Sequence, residues 1–181
     1  ALEVTESVAV LAGGGPADVV ELTIALAREM LAGAGVTDVD PADALADGRA
    51  MDAWRRMIAA QGGDPDAELP VATHTEEIRA DRDGVIVRMD ALGVGVAAWR
   101  LGAGRARKED PVQAGAGVYL HKTLGEQVKA GEVIATLHTD TPERFARAID
   151  SLDTACEGAG AIAIGSVAPE RSIVIDRISA G

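Results

Sequence analysis

The chain has 181 residues, 48% of them hydrophobic but only 2% aromatic, and a formal net charge of −12. That length allows one large domain or two small ones, and the core must be built from Ala, Val, Leu and Ile rather than from stacked rings. An acidic chain of this kind is a poor partner for nucleic acid, whose binding depends on lysines and arginines replacing counterions, and for anionic membrane surfaces.

Residues 2–12 read as a short helix that stops at Gly13-Gly14-Gly15. Pro16 opens a second helix, since proline is favoured in a first turn. This helix runs to about Leu31 with two apolar stripes, Val19-Leu22-Leu26-Met30 and Val20-Ile24-Ala27-Leu31. Two stripes make a wide apolar surface, which predicts burial on more than one side. Gly33 and Gly35 then end the helix. Asp40-Pro41 predicts a cap and first-turn proline for a third short helix reaching Gly48. A fourth follows, with Met51, Trp54 and Ile58 on one face, Arg55 and Arg56 on the other, and Gly62-Gly63 at its end.

Residues 66–81, polar and carrying Pro70, read as a linker between a helical region, 1–65, and a β-rich region, 82–181. From residue 85 the period changes to two, with Val85, Val87 and Met89 opposed to Ile86, Arg88 and Asp90, as in a half-buried strand. Further strands are predicted at 95–100, 117–121, 132–138, 161–164 and 172–178. A helix over 142–156 should turn Phe145, Ile149, Leu152 and Cys156 inward. Short strands, frequent glycines and one helix suggest an α+β chain whose second half is a small barrel-sandwich. The lone cysteine, Cys156, can form no internal disulfide and reads as a small buried hydrophobe. With no signal peptide and no run of about 20 apolar residues, the expected location is cytoplasmic.

Few segments suggest chemistry. Gly13-Gly14-Gly15-Pro16-Ala17-Asp18 could offer backbone N–H groups to an anion, but it lacks the Lys and Ser/Thr of a phosphate loop and the preceding strand. A tight helix–helix connection explains it better. Leu101-Gly102-Ala103-Gly104-Arg105-Ala106-Arg107-Lys108 is the one concentrated cationic segment. It is either an anion-facing loop or a solvated loop balanced by Glu109 and Asp110. His74, His121 and His138 are far apart and lack metal-ligand spacing apart from the loose His74–Glu76 pair, and no serine lies in a nucleophile elbow. Gly125–Glu132 has the turn pattern G-x-x-V-x-x-G-E, similar to turns of biotinyl and lipoyl carrier domains. The tip that would carry their modified lysine is here His138-Thr139-Asp140-Thr141-Pro142, which has no lysine.

The ordered set of motifs is more specific than any one of them. Ala1-Leu2-Glu3-Val4-Thr5-Glu6, then Gly13–Asp18, resembles the ALEVxEA…GxGPxD segment of thymidine and pyrimidine-nucleoside phosphorylases, and Met57-Ile58-Ala59-Ala60-Gln61-Gly62-Gly63-Asp64 their M-[VI]-x-A-Q-G-G-D. Asp83-Gly84-Val85-Ile86, Leu92-Gly93, Leu101–Arg105 and Lys108-Glu109-Asp110 are similar to that family's C-terminal domain. The resemblance implies a C-terminal fragment, whose helical part completes an α/β domain and whose hammerhead-like part follows it. An opening at Ala1 without Met or cap fits that expectation.

It also implies phosphorolysis of a pyrimidine nucleoside by inorganic phosphate, giving the free base and a pentose 1-phosphate. The family's catalytic and nucleoside-binding residues lie upstream, so none is carried over to this chain, and no cofactor is implied. Glu6 corresponds to an acid that in some bacterial members holds a structural cation, potassium or another hard ion, for which an oxygen ligand is suitable. A homodimer formed through the N-terminal helical domain is implied as well. The competing expectation is a non-catalytic binding or scaffold module of barrel-sandwich type.

Overall fold

The computed structural model describes residues 1–170 and 172–178. The chain divides into two compact units: Leu69–Glu170 with Ala1–Leu2, and Glu3–Glu68 with the C-terminal segment.

The helical unit is formed by α1 (Leu2–Leu11), α2 (Ala17–Gly33), α3 (Pro41–Ala46) and α4 (Arg49–Ala60). Asp40 caps α3 as its position before Pro41 predicts, its carboxylate accepting from the Ala42 amide at 3.1 Å. The same carboxylate pairs with Arg28 of α2 at 2.9 Å, so one aspartate both starts a helix and ties it to another. The Arg28 hydrogen bond, and then the Ala42 amide, hold Asp40 below the usual carboxylate range. On α4, Met51, Trp54 and Ile58 are half-buried while Arg55 and Arg56 are exposed.

The expected double-sided burial of α2 is not found. Its stripe Val20, Ile24, Ala27 and Leu31 is half-buried, but Leu22, Leu26 and Met30 are exposed. Within the unit α2 packs on α3, and one short helix covers one stripe only.

The second unit contains β1 (His74–Arg79), β2 (Gly84–Met89), α5 (Ala91–Ala98), β3 (Gly117–Leu120), β4 (Gln127–Val128), β5 (Val133–Thr139), α6 (Phe145–Gly158) and β6 (Ile162–Gly165). Its strands form two antiparallel three-stranded sheets, ordered β1-β5-β3 and β4-β2-β6. The α+β class therefore holds, with two open sheets among the described residues and no closed barrel. One core packs α5 and α6 on the first sheet through Ala97, Leu101, Leu137, Phe145, Ala148 and Leu152. A second joins Ala80, Ile86, Val128 and Ile134. In β2 a bulge falls between Ile86 and Arg88. It shifts the alternation, so Ile86 and Met89, three apart, both reach that second core.

Four expectations are corrected here. Strand β1 lies inside the segment expected as a linker. Its residues are mostly exposed because it is a sheet edge, which hides the alternation a core strand would show. The strand expected at 95–100 is helical: α5 is capped by Asp90, whose carboxylate accepts from the Gly93 amide at 2.6 Å. The Val94-Gly95-Val96 alternation imitates a strand, but the cap and the packing against α6 decide the outcome. Residues 172–178 form no strand, and Ile175 and Ile178 are exposed. A β-branched run becomes a strand only when an edge is available to pair with it. Finally, Cys156 is exposed. Helix α6 breaks at Ala155, which is extended, and Cys156 and Glu157 are left-handed, so the cysteine leaves the helical face on which Phe145 and Leu152 are buried.

Candidate functional site

Chemistry concentrates in the second unit, where the cationic segment leaves the end of α5. Helix α5 continues into a wide π-type turn, Trp99–Ala103, that departs from helical geometry at Gly102, whose φ is 113°. A residue with a Cβ rarely adopts that conformation, and a Cβ there would also lie 2.9 Å from the Gln113 side chain. Leu101, fully buried, anchors the turn in the core. Gly104 then passes flat over Trp99, close enough that a Cβ would sit 2.7 Å from the indole ring.

Beyond this point Arg105, Arg107, Lys108 and Glu109 are exposed, while Asp110 turns inward. The Asp110 carboxylate accepts from the amides of Ala106 at 3.2 Å and Arg107 at 2.9 Å. Arg105 donates to the Lys108 carbonyl at 3.2 Å. One of the two acids able to balance the cations is thus engaged with the backbone, and three positive side chains are gathered on a folded loop.

The base of the loop is held by Gln113. Its amide donates to the Gly102 carbonyl at 2.9 Å, closing the loop on itself. Its side-chain oxygen accepts from the Asp140 amide at 2.8 Å and the Thr139 hydroxyl at 3.0 Å, and its Nε2 donates to the Thr141 hydroxyl at 2.8 Å. Thr139, fully buried, also reaches the Leu101 carbonyl at 2.7 Å. On the far side the Asp140 carboxylate accepts from the Thr73 amide at 2.9 Å. The lysine-free tip 138–142 therefore anchors the loop. The sequence pattern placed Thr139 and Thr141 only in the lysine-free tip and did not mark Gln113. The available signal was the pair of threonines flanking Asp140 where β5 ends, whose hydroxyls need partners once buried.

The sheet's register brings two of the three histidines onto one face. His121 meets Thr136 through Nε2 at 2.7 Å and Tyr119 edge-on at 4.9 Å between ring centres. His138 is half-buried; burial first, and then the neighbouring His121, lower its pKa from the ordinary histidine value. His74 is exposed on the edge strand β1. Glu6 is exposed on α1, and no group of three or more His, Cys, Asp or Glu side chains able to hold a metal ion occurs among the described residues. A cation at Glu6 would find fewer than three such side chains among the described residues and would need further oxygens from elsewhere.

Residues 85–159, which include the cationic loop and its anchor, match the family model described as the pyrimidine nucleoside phosphorylase C-terminal domain. The α+β unit is thus of the nucleoside-phosphorylase C-terminal type. Among curated proteins, the chain is 51% identical over 98% of its length to a thymidine phosphorylase of Mycobacterium tuberculosis (strain CDC 1551 / Oshkosh), covering 40% of that protein. It is 40% identical over 79% of its length to a pyrimidine-nucleoside phosphorylase of Staphylococcus epidermidis (strain ATCC 35984), covering 36%. It is 34% identical over 87% of its length to that of Bacillus subtilis (strain 168), covering 40%. The chain belongs to the thymidine and pyrimidine-nucleoside phosphorylase family. It spans about 40% of the length of the curated relatives it matches.

Proposed function

We propose that this chain is the C-terminal part of an enzyme that cleaves thymidine or another pyrimidine nucleoside with inorganic phosphate, releasing the base and a pentose 1-phosphate. The observation that carries this reading is the 51% identity to a thymidine phosphorylase, sustained over 98% of the chain. Phosphorolysis must hold an oxyanion beside the anomeric carbon and stabilise charge on the departing base. Here the described residues supply one grouped set of cations, Arg105, Arg107 and Lys108, on the folded loop. The chain's role is that of a scaffold whose cationic loop borders the cleft, while the holding of phosphate, its attack and leaving-group stabilisation fall to residues outside it. A cytoplasmic homodimer, and a structural cation held in part by Glu6, belong to the same reading.

The test is an assay of base release from thymidine and uridine with phosphate. The 181-residue chain alone is expected to give none, and the protein with the additional length of its relatives is expected to turn over. In that longer protein, replacing Arg105, Arg107 and Lys108 together by alanine should raise KM for phosphate. Turnover by the 181-residue chain alone would contradict the division of labour. An inactive longer protein would favour a non-catalytic scaffold.

A further inference from the structure

We infer that the outer ridge of α2 and the C-terminal segment 172–178 form one docking surface for the part of the full-length polypeptide that precedes this chain, and that 172–178 is taken up there as a strand. The inference rests on the reading of the chain as the C-terminal part of a longer enzyme, and not on the reaction assigned to that enzyme.

The helical unit buries too little to account for its own apolar residues. Among the described residues Val10 is its one buried hydrophobic side chain. On α2, Leu22, Leu26 and Met30 recur once per turn, and their exposure rises from 40% to 75% along the helix. In the C-terminal segment Val174 is 45% exposed, Ile175 85% and Ile178 95%. The two sets lie side by side, because Arg177, between those isoleucines, pairs at 2.9 Å with Glu29, the neighbour of Met30. Apolar side chains gathered on one uncovered surface mark an interaction site.

Length, charge and sequence pattern name the occupant. The match covers 40% of the Mycobacterium tuberculosis thymidine phosphorylase, which leaves about 60% of that protein outside it, and the matching family model is a C-terminal domain. A segment tied to this chain reaches the surface at high effective concentration. A second copy would bring the same net charge of −12 against itself and is repelled. The run Ile173-Val174-Ile175 has the β-branched composition of a strand, yet it forms none here. A strand edge of the preceding chain would supply the missing ladder, as in strand addition to a sheet.

The test uses the protein with the additional length of its relatives. In a Cys156→Ser background, which removes the exposed native thiol, Met30→Cys and Ile178→Cys are made separately. Maleimide labelling of each is followed on its own peptide by mass spectrometry, in buffer and in urea, at two protein concentrations. Both thiols should react at least about tenfold more slowly in buffer than in urea, equally at the two concentrations. In the unsubstituted protein, amides of 172–178 should exchange at least about tenfold below the unstructured rate, and those of α2 as slowly as those of β5.

Labelling of either thiol at its urea rate overturns the docking surface, and slowing that grows with concentration assigns it to a second copy instead. Slow labelling with 172–178 exchanging at the unstructured rate overturns the strand. The exchange measurement needs no substitution, so it decides the outcome should a cysteine variant fail to fold. Base release from thymidine, assayed on the same preparation, separates the two readings. An active protein with fast-labelling thiols removes the docking surface alone, and an inactive one with slow-labelling thiols removes the reaction alone.

Discussion

Gly102 and His138 show how single residues carry the site's constraints. Gly102 combines a left-handed φ with a side-chain neighbour that is itself pinned, so Gly102→Ala meets both backbone strain and the Gln113 carboxamide. Strain at a position of this kind costs about 1–3 kcal/mol. The variant should unfold at correspondingly lower urea, with a changed environment for Trp99 in fluorescence. For His138 the folded pKa lies below the ordinary 6.5 because the charged form loses solvation and faces His121. The unfolded chain therefore takes up its proton first as pH falls, and stability present above about 6.5 is lost through the window below it. Replacing His138 by glutamine should flatten that dependence while leaving stability near neutral pH almost unchanged. Urea unfolding followed from about pH 7.5 to pH 5 measures the difference in slope, and equal slopes for both proteins would remove His138 from the account.

At the scale of elements, two glycines of α5 separate intrinsic helix preference from packing. A Cβ on Gly95 would meet nothing within 4 Å, whereas one on Gly93 would lie 2.7 Å from the Ala161 methyl and 2.8 Å from that of Ala155. Gly→Ala in a helix gains up to about 1 kcal/mol from reduced backbone freedom. Gly95→Ala should therefore stabilise the chain. At Gly93 the same gain is opposed by overpacking of about 1–3 kcal/mol, because α5 and α6 must move apart around a close-packed core. A net loss is expected for Gly93→Ala, and opposite shifts of the two urea midpoints would confirm that α5 is helical for both reasons. The alternation in Val94-Gly95-Val96 imitates a strand, since β-branched residues at period two are the strand signature. What that pattern omits is the Asp90 cap and the small Gly93 face that lets α6 approach.

Across the whole molecule, burial is uneven. Among the described residues Val10 is the one buried hydrophobic side chain of the helical unit, while the others, from Ala72 to Ala161, lie in the sheet-containing unit. Local opening free energy follows buried apolar contact, so amides of β5 should exchange slowest. Those of α2, which has no buried residue, should exchange faster by at least about tenfold. Equal protection of β5 and α2 by exchange mass spectrometry would contradict this ordering.

The helices were legible from the residues because their signals are local: Pro16, the Asp40-Pro41 cap and the face Met51-Trp54-Ile58 act within a few positions. The ordered motifs were legible for the same reason and indicated the family. Strand β1, the bulge in β2 and the exposure of Cys156 were not, since each depends on which segment lies alongside. The site followed the same division. Three cations stood out between Arg105 and Lys108, but their anchor joins Gly102, Gln113 and Thr139–Thr141 across up to 39 positions of chain. Composition and spacing determined which groups could meet an anion. Only the antiparallel pairing of β3 with β5, which brings the end of β5 beneath the loop, decided where those groups are held, because hydrogen bonds between distant residues exist only after the backbone has been folded to bring them within reach.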